Sequence, residues 1–354
     1  MSRQMKGGAA ILRWMDPFLL GLIGVVVLAS LVPVRGEVAG VTTVLASVGI
    51  GLLFFLNGAK LSRRAILQGI GNWRLHALTL GSTYLLFPAI GLTLAWLGRG
   101  WINPLLLSGL LFLTLLPSTV QSSIAFTAMA GGNVAAAICS ASLSNLAGIF
   151  VTPLLAGVFM HVGSHAVGSS AHSLQSIALQ LLAPFLAGHL LRPVIGGFVD
   201  RNHKLLMPVD RGLILLVVFS AFSAAVVNGI WTRVGWLDMA ELVGLSGLIL
   251  AIVIGVNATV SRLFGFRRDE TIVLMFCGSK KSLVSGVPMA GILFPPAQVG
   301  LIILPLMIFH QLQLFVSAAL AARFRRDAEQ RSRSETAQPA FESETPATPQ
   351  VQER

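Results

Sequence analysis

Apolar residues fall in long runs along this chain, each close to the roughly 20 residues that a helix needs to cross a bilayer. Ten such runs predict ten membrane spans: about 17–33, 41–58, 75–98, 104–129, 133–159, 173–192, 209–229, 240–263, 271–294 and 298–321. The polar stretches between them are short. The last segment, from Asp327 to Arg354, is rich in Glu, Ser, Thr, Pro and Gln and reads as a disordered tail. The pattern predicts three parts: an N-terminal segment, 1–16; a ten-helix domain, 17–325; and a tail, 326–354.

Composition agrees with a lipid-embedded chain. Of 354 residues, 55% are hydrophobic and 11% charged, against about 25% charged in a soluble domain. The surface of the fold lacks a charged shell, so lipid must solvate much of it. The net charge of +11 does not indicate nucleic acid, because the basic residues sit in the short loops between apolar runs. One set of loops holds Arg3, Lys6 and Arg13; Lys60, Arg63, Arg64 and Arg74; Arg192, Arg201, Lys204 and Arg211; Arg262, Arg267 and Arg268; and Arg323, Arg325 and Arg326. The opposite loops hold only Arg35, Arg99 and Arg233. This asymmetry alternates through all ten spans and predicts that both termini face the cytoplasm across a plasma membrane. Cys139 and Cys277 both lie in apolar segments, which speaks against a structural disulfide. The first apolar run lacks a cleavage site and is followed by many others, so it does not read as a signal peptide.

The polar residues inside the spans carry the candidate chemistry. All fourteen acidic residues fall in loops, in the tail or at span edges, although many ion-coupled carriers use a buried carboxylate. Lys280 and Lys281 are different: they lie in Phe276-Cys277-Gly278-Ser279-Lys280-Lys281-Ser282, roughly 13 Å along the ninth span at 1.5 Å per residue. They form either a structural pair held by backbone carbonyls and helix ends or a cationic binding or coupling site. Both can face one cavity only if the helix is interrupted there, and Gly278 and Pro288 favour an interruption. The fourth span turns polar at Pro117-Ser118-Thr119-Val120-Gln121-Ser122-Ser123 and ends at Gly131-Gly132-Asn133. It reads as a second interrupted helix lining a cavity, or as a kinked one whose hydroxyls bond back to the preceding turn. In the fifth span Ser140 and Ser144 share a face beside Ser142 and Asn145, for ligands or for close helix packing. His310, Gln311 and Gln313 lie in the tenth span, with His310 a proton relay or a hydrogen-bonded structural residue. His161, His165 and His172 read as solvated loop residues. Zinc motifs, phosphate loops and nucleophile triads do not appear, so the sequence does not read as an enzyme.

The interrupted helices are the fourth and ninth, five spans apart. An odd repeat of five forces the two halves, about 17–160 and 173–321, into opposite orientations. That is the layout of an inverted-repeat carrier with its site where the broken helices meet.

These residues carry a family resemblance. The segment from Pro117 through Gly131-Gly132-Asn133 to Ser144-Asn145 and Thr152-Pro153, with Phe276 to Ser282 and His310-Gln311-Leu312-Gln313, resembles the SBF-like branch of the bile acid:sodium symporter family over roughly residues 14–325. The resemblance implies ten helices, a core domain, a panel domain, and fourth and ninth helices that break and cross. It implies sodium near Ser122 and Ser123, with hydroxyls of the fifth helix near Ser140 and Ser144. The ninth-helix sodium ligands of the symporters, a Glu, a Gln and an Asn, fall on Phe276, Lys280 and Lys281 here. The carboxylate is absent, and an ammonium stands where a ligand of the cation would be.

The function this predicts is a secondary active transporter, symporter-like, that moves a small organic anion by alternating access. Its candidate site is Gln121, Ser122, Ser123, Ser140, Ser144, Asn145, Lys280, Lys281, Ser282, His310, Gln311 and Gln313. No prosthetic group is expected. Sodium or a proton is the candidate coupling ion, and the bilayer and the solute are the expected partners. The alternative is a non-transporting membrane regulator or sensor on the same fold.

Overall fold

The computed structural model describes residues 17–60, 72–160 and 170–337. Every regular element among them is helical, as hydrocarbon requires, since no water is there to take unpaired backbone groups. In chain order they are α1 Pro17–Leu31, α2 Gly36–Lys60, α3 Trp73–Leu97, α4 Pro104–Leu115, α5 Gln121–Met129 and α6 Val134–Met160. There follow α7 Ser170–Arg201, α8 His203–Val227, the short α9 Ile230–Arg233, α10 Trp236–Leu263, α11 Arg268–Cys277, α12 Leu283–Leu293 and α13 Pro296–Ala337. Seven of these, α2, α3, α6, α7, α8, α10 and α13, are long and apolar enough to cross a membrane, and shorter apolar helices lie in α1, α4 and α12. The chain is a multi-span membrane protein. Its outer surface bears apolar side chains such as Val48, Leu85 and Val194, while Trp73, Trp96 and Trp236 are exposed at helix ends, where an amphipathic ring suits a membrane–water interface.

Two groups of helices are distinguishable by packing. In the first, α2 lies against α7 and α8, and α1 against α8. The tightest crossing is between α2 and α7, where Gly58 abuts the Phe185 carbonyl and Gly188 abuts the Phe55 carbonyl with no room for a Cβ on either side. In the second, α4 packs on α3, α6 and α13, and α11 on α5, α6 and α10. The groups meet where α8 packs on α12 and α13.

Helical geometry lapses at 116–120 and again at 278–282. The first lapse has a local cause. The ring of Pro117 disfavours helical backbone at Leu116, which is extended (φ −76°, ψ 157°) and ends α4. At the second, Ser282 caps α12 by accepting from the Ser285 N–H at 3.1 Å. Pro288, expected near this interruption, lies inside α12 instead. A third irregularity has no counterpart in the sequence reading: a π turn over Ser82–Leu86 within α3.

At the C-terminal end, α13 runs to Ala337, past residue 326 where composition starts the tail. Its polar extension contains Arg, Ala, Glu and Gln, all good helix formers, and Arg325 and Glu329 pair one turn apart at 3.8 Å. Residues 1–16, 338–354 and the histidines at 161 and 165 lie outside the described residues, as does the side chain of His172.

Candidate functional site

Breaking a helix in hydrocarbon strands carbonyls, each costing several kcal/mol if unpaired. Both lapses solve this with side chains, and mostly with each other's. After α4, the Ser118 N–H turns to Ser144 Oγ (3.0 Å) instead of Thr114 O. The Thr114 and Leu116 carbonyls accept from Lys281 Nζ at 2.8 and 2.7 Å. Thr152 Oγ1 donates to Leu115 O at 2.8 Å, and the Ser282 N–H to Pro117 O at 2.8 Å. After α11, Ser279 Oγ donates to Met275 O, Ser123 Oγ to Phe276 O (3.0 Å), Ser118 Oγ to Cys277 O (2.6 Å) and Ser82 Oγ to Gly278 O (2.8 Å). The peptide of Lys281 is held from both sides by Gln313, whose Oε1 accepts its N–H at 2.8 Å and whose Nε2 donates to its C=O at 2.9 Å.

The π turn completes the set. In a π turn each carbonyl waits for the N–H five residues on. Phe87 N–H accordingly goes to Ser82 O. Thr83 O would receive the N–H of residue 88, which is proline and has none. Lys281 Nζ supplies the missing donor at 2.9 Å.

The two lysines differ in consequence. Both are fully buried. Lys281 Nζ donates to three carbonyls and lies 4.1 Å from the Phe87 ring centroid. Lys280 Nζ donates to one carbonyl, Ser122 O at 3.0 Å, and otherwise meets ring faces, with Phe126 at 4.1 Å and Phe276 at 5.3 Å to the centroids.

Beside the lapses lies a cavity of about 560 Å³, within the range of small-molecule sites. One wall is Thr119 to Ser122, Ser142, Asn145, Ser282, Ser285 and His310, and the other is Asn57, Lys60, Phe185, Asp200, Asp210 and Arg211. The cavity reaches the end of α2 at Lys60 and the end of α7 at Asp200. Lys60 and Asp210 form an ion pair across α2 and α8.

The residues singled out by sequence are thus divided. Gln121, Ser122, Asn145, Ser282 and His310 line the cavity, with Asn145 accepting from Ser285 Oγ at 2.8 Å. Ser123, Ser144, Lys280, Lys281 and Gln313 are buried behind that wall in the hydrogen bonds between the lapses. Ser140 Oγ contacts His76 Nδ1 at 2.7 Å, between α3 and α6. Gln311 does not line the cavity, and its Oε1 is buried without a hydrogen bond. Among the described residues no cluster of His, Cys, Asp or Glu suits a metal. Sequence reasoning missed Thr83, Thr114 and the wall at Asn57 and Asp210. In the sequence Lys60 and Arg211 stand only as loop charges.

The model of the SBF-like CPA transporter family matches residues 16–326. The chain belongs to that family. "Putative symporter YfeH" of Escherichia coli (strain K12) is 53% identical over 320 residues, covering 90% of this chain and 96% of that protein. "Sodium/bile acid cotransporter 7" of Danio rerio is 29% identical over 313 residues, 86% of this chain and 91% of that one. The Mus musculus protein of the same name is 28% identical over 317 residues, 86% and 90% of the two chains. Membership of the SBF-like CPA transporter family places the chain among transporters rather than enzymes, and it disfavours the regulator or sensor alternative.

Proposed function

We propose that the chain is a secondary active transporter that carries a small organic anion across the cytoplasmic membrane by alternating access. The observation that carries this reading is the cavity wall itself: it is built from both helix lapses, one from each half of the chain, with Lys280 and Lys281 directly behind it. In this reading α4 with α5 and α11 with α12 are the broken fourth and ninth spans of two inverted five-helix repeats. The group of α1, α2, α7 and α8 is the panel, and the remaining helices are the core. The N-terminus of α5 at Gln121 and that of α12 at Leu283 both begin beside the cavity, where helix dipoles favour negative charge. Two ammonium groups without a midplane carboxylate give the same sign.

Counterflow in proteoliposomes tests the solute class. Labelled organic acids should exchange, and amines and neutral sugars should not. Exchange of sugars with no acid among the substrates would reject the anion reading.

With the orientation read from the basic loops, the end of the cavity at Lys60 and Asp200 faces the cytoplasm, and the cavity belongs to an inward-facing state. Reporter fusions after residues 68 and 205 should therefore read cytoplasmic, and one near 165 external. In a background lacking Cys139 and Cys277, Ser122→Cys should react with a small charged thiol reagent applied from the cytoplasmic side. Protection of Ser122→Cys from both sides would mean that this stretch packs against helices rather than facing solute.

The lysines also bear on coupling. Lys280 Nζ donates to Ser122 O, beside the residues where the family resemblance puts sodium, and in this reading its ammonium takes the place of the coupling cation. The second reading is an ordinary sodium symporter using Ser122 and Ser123; the names of the animal relatives favour sodium as the coupling ion.

A further inference from the structure

The surroundings of Lys281 are those of a bound cation. Three main-chain carbonyls, Thr83, Thr114 and Leu116, converge on one point at 2.9, 2.8 and 2.7 Å, and an aromatic face closes a fourth side at 4.1 Å. Each of the three oxygens has lost its ordinary donor for a separate reason: a proline at 88, the capture of the Ser118 N–H by Ser144, and the end of α4. Three acceptors need three N–H groups, which an ammonium has and a neutral amine lacks. The Leu116 and Thr114 oxygens also lie at the negative end of the α4 dipole, where a cation is favoured.

We infer that this carbonyl cage is a monovalent-cation site permanently filled by the protein's own ammonium, tethered at residue 281, so that the junction of α3, α4 and α11 needs no ion from solution. The inference rests on these hydrogen bonds and stands whether or not the transported solute is an anion. Lys280 marks the contrast. With a single carbonyl partner it has no cage, and its removal leaves one backbone acceptor, too few to hold an ion unless the new side chain adds a ligand.

Truncating the side chain tests this without any knowledge of the solute. The full chain, purified in detergent, is melted by tryptophan fluorescence in choline chloride and then in methylammonium, sodium or potassium chloride at equal ionic strength. The parent should melt at the same temperature in all four salts. Lys281→Ala strands three buried acceptors and should melt roughly 5–10 °C lower in choline. Methylammonium or an alkali cation should restore at least half of the loss with a saturable dose response, as binding linkage requires. Lys281→Met fills the cage with a group that donates nothing, so it should stay low in every salt, and Lys280→Ala should show no salt-specific rescue. A parent stabilised by sodium over choline as much as Lys281→Ala would overturn the inference, because truncating the lysine would then open no new ion site. So would a Lys281→Met protein as stable as the parent, or a Lys281→Ala protein that melts alike in all salts. If Lys281→Ala yields folded protein only when prepared in methylammonium, the inference is supported. If it fails to fold in every salt, the inference falls.

Discussion

Lys280→Met should reduce solute uptake by roughly 30-fold or more while leaving the protein folded. The size follows from the cost of truncating one partner of a buried hydrogen-bonded charge, about 2–5 kcal/mol, at 1.4 kcal/mol per tenfold. Folding survives because methionine nearly conserves the volume, its thioether suits the faces of Phe126 and Phe276 that now flank the ammonium, and the Ser122 carbonyl, inside α5, keeps its intrahelical donor when the lysine is gone. Loss of a buried charge partly offsets the lost hydrogen bond. Lys280→Gln separates charge from ligation. Its amide oxygen can hold sodium and methionine cannot, so uptake by Lys280→Gln should acquire a sodium dependence that the parent lacks. Uptake with and without sodium, in the parent and both variants, measures all of this at once. Strict sodium dependence of the parent, unchanged by either substitution, would restore an ordinary sodium symporter with a structural lysine.

Gly58→Leu, and separately Gly188→Leu, should abolish recovery of monodisperse protein from the membrane. At most buried positions an added side chain meets other side chains, which turn aside at about 1–3 kcal/mol. Here the obstacles are the backbone carbonyls of Phe185 and Phe55, one from each helix, and neither can move without separating α2 from α7 along their length. That contact joins the two proposed repeats within one helix group, so its loss takes from α7 the helix it packs against most extensively. Size-exclusion profiles in detergent give the readout. A normal elution volume and melting temperature for either variant would show that the crossing is looser than the glycines imply. Gly24→Leu, with open space around its Cβ position, is the matched control and should behave as the parent does.

The apolar runs were legible because hydrocarbon thickness sets a length that sequence displays directly. Both interruptions were legible too, since Pro117 and the Gly278-to-Ser282 stretch place polar residues where lipid forbids them. The division of labour behind them was not. Lys280 and Lys281 are neighbours of one type, and which of them meets three carbonyls depends on where α3 and α4 pass. Thr83 gave no signal, because a threonine in an apolar helix ordinarily bonds within its own turn, and its hydroxyl does so with Thr79 O at 2.9 Å. It is the carbonyl that matters, and carbonyls are invisible in sequence. Gln313 and Gln311 looked equivalent, yet only Gln313 shares a face with His310, and its amide contacts His310 Nδ1 at 2.9 Å. The far wall of the cavity escaped notice because Lys60 and Arg211 serve the topology pattern whatever else they line. The helical stretch to Ala337 was masked by its polarity, which bears on lipid exposure and leaves helix propensity intact.

The π turn in α3 makes this span intolerant of added length. An α-helix advances by about 100° per residue, and the π turn already takes up one residue more than an ordinary turn, so inserting another between Trp73 and Leu86 would swing everything beyond it by that angle. Phe87 would leave the Lys281 ammonium it now faces. Gly91, which lets Thr114 approach without a Cβ in the way, would be replaced at that point by a neighbour with a side chain. Natural variants of this protein should therefore gain residues freely in the surface connections while the stretch from Trp73 to Leu97 never lengthens, even though nothing in its hydrophobicity forbids it.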